Sequence, residues 1–245
     1  MKEILEACKE GNNEIVKNFF ASDSRANSEV FTYNQNMAIE AISSGRIDTL
    51  EIILNSSPKD KFFFSDVNIN AFTKKSCDDN NLEMLHYLLN YPAIIEYKYN
   101  ELAWKICSYC ISKGKLEIFD YIIENFPTDY ELYKRLKEGE ATSLAAKYGH
   151  THILEYIFNN EKLKQYNDIH IFNDKAFKGA VAWKKIDILE YFIFDKNIDI
   201  TPEIQKIIET DRVVASMFES RDLKQSLIQH LDNTQNNNII KRTKI

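Results

Sequence analysis

Apolar residues in this chain fall in short stripes of helical spacing, and the stripes return at a nearly fixed interval. In residues 145–160, AAKYGHTHILEYIFNN, two small residues precede a glycine, a polar step follows, and paired aliphatics then line one face of a helix. With that glycine as position zero, Gly11, Gly45, Asn80, Gly114, Gly149 and Lys184 fall in register at spacings of 34, 35, 34, 35 and 35 residues. Four, five, eight and nine residues on lie sets such as Met84, Leu85, Leu88 and Leu89, or Ile118, Phe119, Ile122 and Ile123. Four residues before zero stand Ala7, Ala41, Ser76, Cys110, Ala145 and Ala180, all small. The pattern predicts about six units of two short antiparallel helices, with the small row letting neighbouring backbones approach closely.

The punctuation fits that reading. Glycine at zero suits a helix that ends in the left-handed conformation, Asn80 is the next best residue there, and Lys184 is the exception. Three residues after zero come Glu14, Asp48, Glu83, Glu117, His152 and Asp187, where a new helix begins and its dipole favours negative charge. That row is a helix-start preference rather than a set of catalytic carboxylates. Pro58, Pro92 and Pro127 follow the second helix and are expected to stop it.

Two stretches now resemble a known family. Gly149-His150-Thr151-His152-Ile153-Leu154-Glu155-Tyr156 and Gly11-Asn12-Asn13-Glu14-Ile15-Val16-Lys17 look like the second helix of the ankyrin repeat, G-H-L-E-I-V-K-L-L-L, and Thr142-Ser143-Leu144-Ala145-Ala146 is similar to its T-P-L-H-x-A opening. The resemblance covers residues 1 to about 195. It implies an all-α, ankyrin-like helical-repeat solenoid. No other unit has the T-P-L-H turn, none has a G-A-D-V-N stretch, and the connecting fingers are expected to be longer and more irregular than in the family. A tetratricopeptide array shares the period but wants W-x-x-L-G-x-x-Y, which no unit has. The expected organisation is a repeat array over 1–200, a helical C-terminal cap over 201–232, with Leu223, Leu227, Ile228 and Leu231 at amphipathic spacing, and a flexible polar and basic tail over 233–245 ending through Lys241, Arg242 and Lys244.

Composition narrows the function. With 31 basic and 37 acidic residues, a net charge of −6, the 245-residue chain repels a phosphate backbone, so nucleic acid is not expected as a partner. No apolar run approaches a membrane span, the N-terminus MKEILEACKEG has no secretory h-region, and the chain reads as cytoplasmic, in its own cell or a host's. Cys107 and Cys110 form a C-x-x-C, but they and Cys8 and Cys77 occupy core positions of the repeat, which predicts reduced structural thiols without metal. His150 and His152 sit on alternate residues of a helix start and do not converge on a metal. No phosphate-binding glycine loop and no nucleophile elbow is present, so no cofactor, no small-molecule substrate and no enzymatic activity are expected. Tyr87, Tyr121, Tyr156 and Tyr191 recur seven residues after zero and are expected to pack between units.

The resemblance implies that the two residues before zero end the first helix on the concave binding surface. They vary: Lys9-Glu10, Ser43-Ser44, Asp78-Asp79, Ser112-Lys113, Lys147-Tyr148 and Ala182-Trp183. Candidate partner-binding residues are therefore Asp78, Asp79, Lys113, Lys147, Tyr148 and Trp183, although packing of Trp183 on the C-terminal segment is the favoured alternative for that residue. The expected function is a non-catalytic scaffold that binds another protein, with a structural subunit of a larger assembly as the alternative.

Overall fold

A computed structural model describes residues 2–21, 29–56, 65–96, 102–126, 129–163 and 170–242. These residues are helical with no strand among them, and they form two compact units, residues 1–133 and 134–245. The periodicity runs on through this division without marking it.

The first unit holds four helical pairs: α1 (Lys2–Glu10) with α2 (Asn13–Ala21), α3 (Glu29–Ser43) with α4 (Ile47–Ser56), α5 (Asp66–Asp78) with α6 (Leu82–Leu89), and α8 (Leu102–Lys113) with α9 (Leu116–Asn125). A short α7 (Pro92–Glu96) follows α6, so Pro92 opens a helix as well as following one, its missing N–H harmless in a first turn. First helices pack on first helices: α3 lies between α1 and α5, and α5 between α3 and α8. The boundary falls inside α10 (Tyr130–Lys137). The second unit pairs α11 (Glu140–Tyr148) with α12 (Thr151–Asn159), and α13 (Ile171–Ala182) with α14 (Ile186–Glu190), which runs into a π-helical turn at Tyr191–Asp195. Then come α15 (Pro202–Thr210) and α16 (Arg212–Arg242).

Every expected turn has the same backbone. Gly11, Gly45, Asn80, Gly114, Gly149 and Lys184 all have positive φ, the non-glycine pair at 53° and 51°. The N–H one residue later donates back to the carbonyl of the small row: Asn12 to Ala7, Arg46 to Ala41, Asn81 to Ser76, Lys115 to Cys110, His150 to Ala145 and Lys185 to Ala180, all within 2.8–3.0 Å. This is the Schellman closure of a helix C-terminus, which satisfies carbonyls the helix itself leaves open. All six small residues are buried, as are the stripes of α4, α6, α9 and α14 with its π turn; in α2 only Val16 is, since α2 has its partner helix α4 on one side. Burial of each large aliphatic or aromatic side chain of a stripe is worth about 1.5–3 kcal/mol.

The end of the second unit differs from the expected set of short helices. VVASMFE and LKQSLIQHL form one helix, α16, which continues to Arg242 through the segment read as a tail. Ile204, Val214 and Phe218 are buried, with the Phe218 ring 6.3 Å from that of Phe177, so α15 and the first two turns of α16 cover α13. The expected cap residues Leu223, Leu227, Ile228 and Leu231 are instead exposed. Thr201 caps α15, accepting from the Ile204 N–H at 3.2 Å while its hydroxyl donates to the buried carboxylate of Asp174, which also meets His170 Nδ1 at 2.6 Å. Pro58, Pro127, Lys244 and most of the expected finger residues lie outside the described residues.

Candidate functional site

The turn edges are tied to one another by side chains that the alignment did not single out. Arg46, one residue past its turn, reaches back so that its Nε donates to the Lys9 carbonyl at 3.4 Å. Its Cδ lies 3.2 Å from where a Cβ on Gly11 would sit. Lys115 does the same to the preceding pair, its Nζ donating to the Asp78 carbonyl at 3.2 Å. Lys185 lays its stem over Gly149, with Cδ 3.2 Å from a would-be Cβ. A cation placed on the open carbonyls of the previous first helix also meets the negative end of its dipole. A second set of links lies on the other side of the turn: Asn13 Nδ2 donates to Asp48 Oδ2 at 2.7 Å, and Asn80 Nδ2 to Glu117 Oε2 at 2.7 Å. The Asn13 bond holds the Asp48 carboxyl below the usual carboxylate range. The acidic row thus starts helices and, at these two members, fastens adjacent pairs.

In the first unit the candidate residues already have partners. Asp78 Oδ1 accepts from the Tyr109 hydroxyl at 2.6 Å, and Asp79 Oδ1 pairs with Lys75 Nζ at 3.0 Å. Lys113 Nζ stands 5.7 Å from the Tyr109 ring centroid and Lys74 Nζ 5.4 Å from it. Burial, then the bond to Asp78, pushes the Tyr109 hydroxyl well above its usual range, so it stays a neutral donor. These residues knit α5 to α8 around Tyr109, a position the alignment gave no reason to choose.

The second unit is different. Trp183 is 58% exposed and Tyr148 42% exposed, on adjacent turn edges. Between them lies Lys147, whose Nζ is 4.9 Å from the Trp183 ring centroid and 5.4 Å from that of Tyr148. The favoured packing of Trp183 on the C-terminal segment does not occur, because α15 and α16 engage α13 through Phe177 and leave its C-terminal residue clear. Lys184 and Lys185 follow Trp183 directly in the sequence, so the segment that carries it is basic. Cation and ring attract by about 0.5–1 kcal/mol at exposed sites, enough to hold Lys147 across both rings without burying it.

Other sequence candidates fall into the core. All four cysteines are buried and unbridged. Burial, with Glu40 nearby, raises the Cys8 thiol to about 12. Burial also raises Cys107, and Cys110 is raised first by a hydrogen bond with Cys77 and then by burial. Among the described residues no three His, Cys, Asp or Glu side chains are grouped to hold a metal, and no helix is long and apolar enough to cross a membrane. Two of the tyrosine row reach the preceding helical pair: the Tyr121 hydroxyl meets His86 Nδ1 at 2.7 Å, and the Tyr191 ring lies 6.4 Å from Phe158.

Comparison with known protein families, with curated proteins and with solved structures returns no match for this chain.

Proposed function

We propose that the chain is a non-catalytic, ankyrin-like helical-repeat solenoid that captures a partner protein, and that Tyr148 and Trp183, bridged by Lys147, form its anchor. The observation that carries this reading is the exposure of two large aromatics on neighbouring turn edges; among the described residues the other exposed large aromatic, Tyr130, lies at the start of α10 rather than on one of the six turns. Tyr and Trp dominate the energetics of protein interfaces, each contributing about 2 kcal/mol or more when it fills a pocket. Lys147, Lys184 and Lys185 make this edge basic on an acidic chain, so the partner presents carboxylates around an aromatic-accepting hollow. Replacing Tyr148 and Trp183 together by alanine leaves the melting temperature within about 1 °C, since neither supports the core. The same variant, used as bait in extract of the native cell, loses the proteins that the unaltered chain retains. Retention of the same proteins at the same yield would refute the anchor.

A second reading, a structural subunit of a larger assembly, is favoured by α16. Asp222–Leu231 is exposed throughout, and Leu223, Leu227, Ile228 and Leu231 present apolar surface at helical spacing. Light scattering on the purified chain separates the two readings: a monomer at micromolar concentration supports recognition, and a defined oligomer that Leu227→Gln with Leu231→Gln disperses supports assembly.

A further inference from the structure

On the second-helix side of the first unit, away from the turn edges, lies a cleft of about 460 Å³ lined by Glu51, Asn55, His86, Tyr87 and Tyr91 with neighbouring residues of α6 and α7. That volume is in the range of about 300–1,000 Å³ usual for ligand clefts. Helix ends build it: Glu51 and Asn55 are one turn apart on α4, Tyr87 is on α6 and Tyr91 in the link to α7, their ring centroids 6.1 Å from each other at 44°. The Tyr91 hydroxyl donates to Asn55 Oδ1 at 2.9 Å, which fixes the ring as a wall between the two pairs. His86 is committed to Tyr121, and Asn90 Nδ2 donates to the His86 carbonyl at 2.8 Å.

Glu51 is the unspent group. It is exposed at the mouth of the cleft and has no ion pair among the described residues. Burial and the Glu51 charge together push the Tyr87 hydroxyl up to about 12, and the same two causes raise Tyr91, so both tyrosines stay neutral. Tyr87, half-buried, offers its ring face, while Tyr91 is buried with its hydroxyl spent on Asn55 and forms the back wall; among the described lining residues Glu51 is the one carboxylate.

We infer that this cleft binds a guanidinium group, with the planar cation on the half-buried Tyr87 ring in front of the Tyr91 wall and its N–H groups directed at the Glu51 carboxylate. A guanidinium stacks on aromatic faces and donates as a fork to a carboxylate, which a hydrated ammonium does less well. The same chemistry comes from an arginine side chain of a protein or from a free small guanidine, and the test separates them.

The test follows the ring resonances of 13C-tyrosine-labelled protein, assigned with Tyr87→Phe and Tyr91→Phe, during titration. N-acetyl-arginine amide is expected to shift both signals saturably, and the neutral isostere N-acetyl-citrulline amide to leave them in place. Glu51→Gln, at an exposed position that does not support folding, should weaken the arginine response about fivefold or more. A capped Gly-Ser-Arg-Ser-Gly peptide binding more tightly than butylguanidinium identifies a protein arginine as the source, and equal affinities identify a free guanidine. Absence of saturable shifts, an equal response to citrulline, or an unchanged response in Glu51→Gln each overturns the inference.

Discussion

Lys184 closes its turn in the left-handed conformation, at φ 51°, where four of the other five turns use glycine and the fifth asparagine. Its side chain is exposed and makes no hydrogen bond or ion pair among the described residues, so Lys184→Gly changes the backbone term almost alone. A residue with a Cβ in this conformation costs about 1–2 kcal/mol, while glycine's freedom in the unfolded chain gives back about 0.5–1 kcal/mol. Lys184→Gly should therefore stabilise residues 134–245 by about 0.5–1 kcal/mol. The opposite change sits on the preceding turn: Gly149→Ala places a Cβ at φ 85°, 3.2 Å from Lys185 Cδ, and should destabilise by about 1 kcal/mol. Urea unfolding followed by far-UV circular dichroism reads both. At a slope of about 2 kcal/mol per molar, the midpoint rises by about 0.3–0.5 M in the first variant and falls by about 0.5 M in the second. If Lys184→Gly lowers the midpoint or leaves it unchanged while Gly149→Ala is neutral, the shared turn conformation is not a determinant of stability and the reasoning fails.

Three further outcomes follow from the same packing. A thiol reagent such as dithionitrobenzoate should find no rapidly reacting group in the native protein and four on unfolding, because every cysteine is buried and those with shifted thiols are shifted upward. Alkali should destabilise the fold: Cys8 moves from an ordinary value near 9.0 to about 12, and Tyr87 and Tyr191 from near 10.0 to about 12, burial being the first cause in each. Each native group thus holds a proton that the unfolded chain has lost, so their contribution is complete below about pH 9 and drains away toward pH 12; a urea midpoint that stays level from pH 8 to 11 would contradict this. Thr201→Val should lower stability by about 2–3 kcal/mol in urea titrations, since it removes the cap on Ile204 and one partner of the buried Asp174 carboxylate.

The repeating elements were legible in the sequence because their causes are local. A glycine that ends a helix, a small residue four positions earlier and an aliphatic stripe just after are set by backbone geometry within one unit, so the alignment on Gly11 to Lys184 located all six turns. The ties between units were not legible in that way. Arg46, Lys115 and Lys185 also form a row, one past zero, but long polar side chains near a turn read as solvated surface until the distance to the preceding turn is known. Asp78, Asp79 and Lys113 looked free for the same reason, and their partners Tyr109 and Lys75 become neighbours through packing or helical spacing around a side chain the alignment ignored. Trp183 is exposed because the C-terminal apolar residues that could cover it are divided in the structure: Ile204, Val214 and Phe218 face the core, and the LKQSLIQHL leucines face outward. The polar run NTQNNN hid the continuation of α16 by carrying no stripe at all.

The backward reach of Arg46 and Lys115 gives the first unit a direction in time. A ribosome adding about 5–20 residues per second delivers each turn several seconds before the side chain that will secure it, since that side chain lies a full unit downstream. The Lys9 and Asp78 carbonyls therefore stay open to water until Arg46 and Lys115 emerge, and consolidation at these two turns trails synthesis by one helical pair.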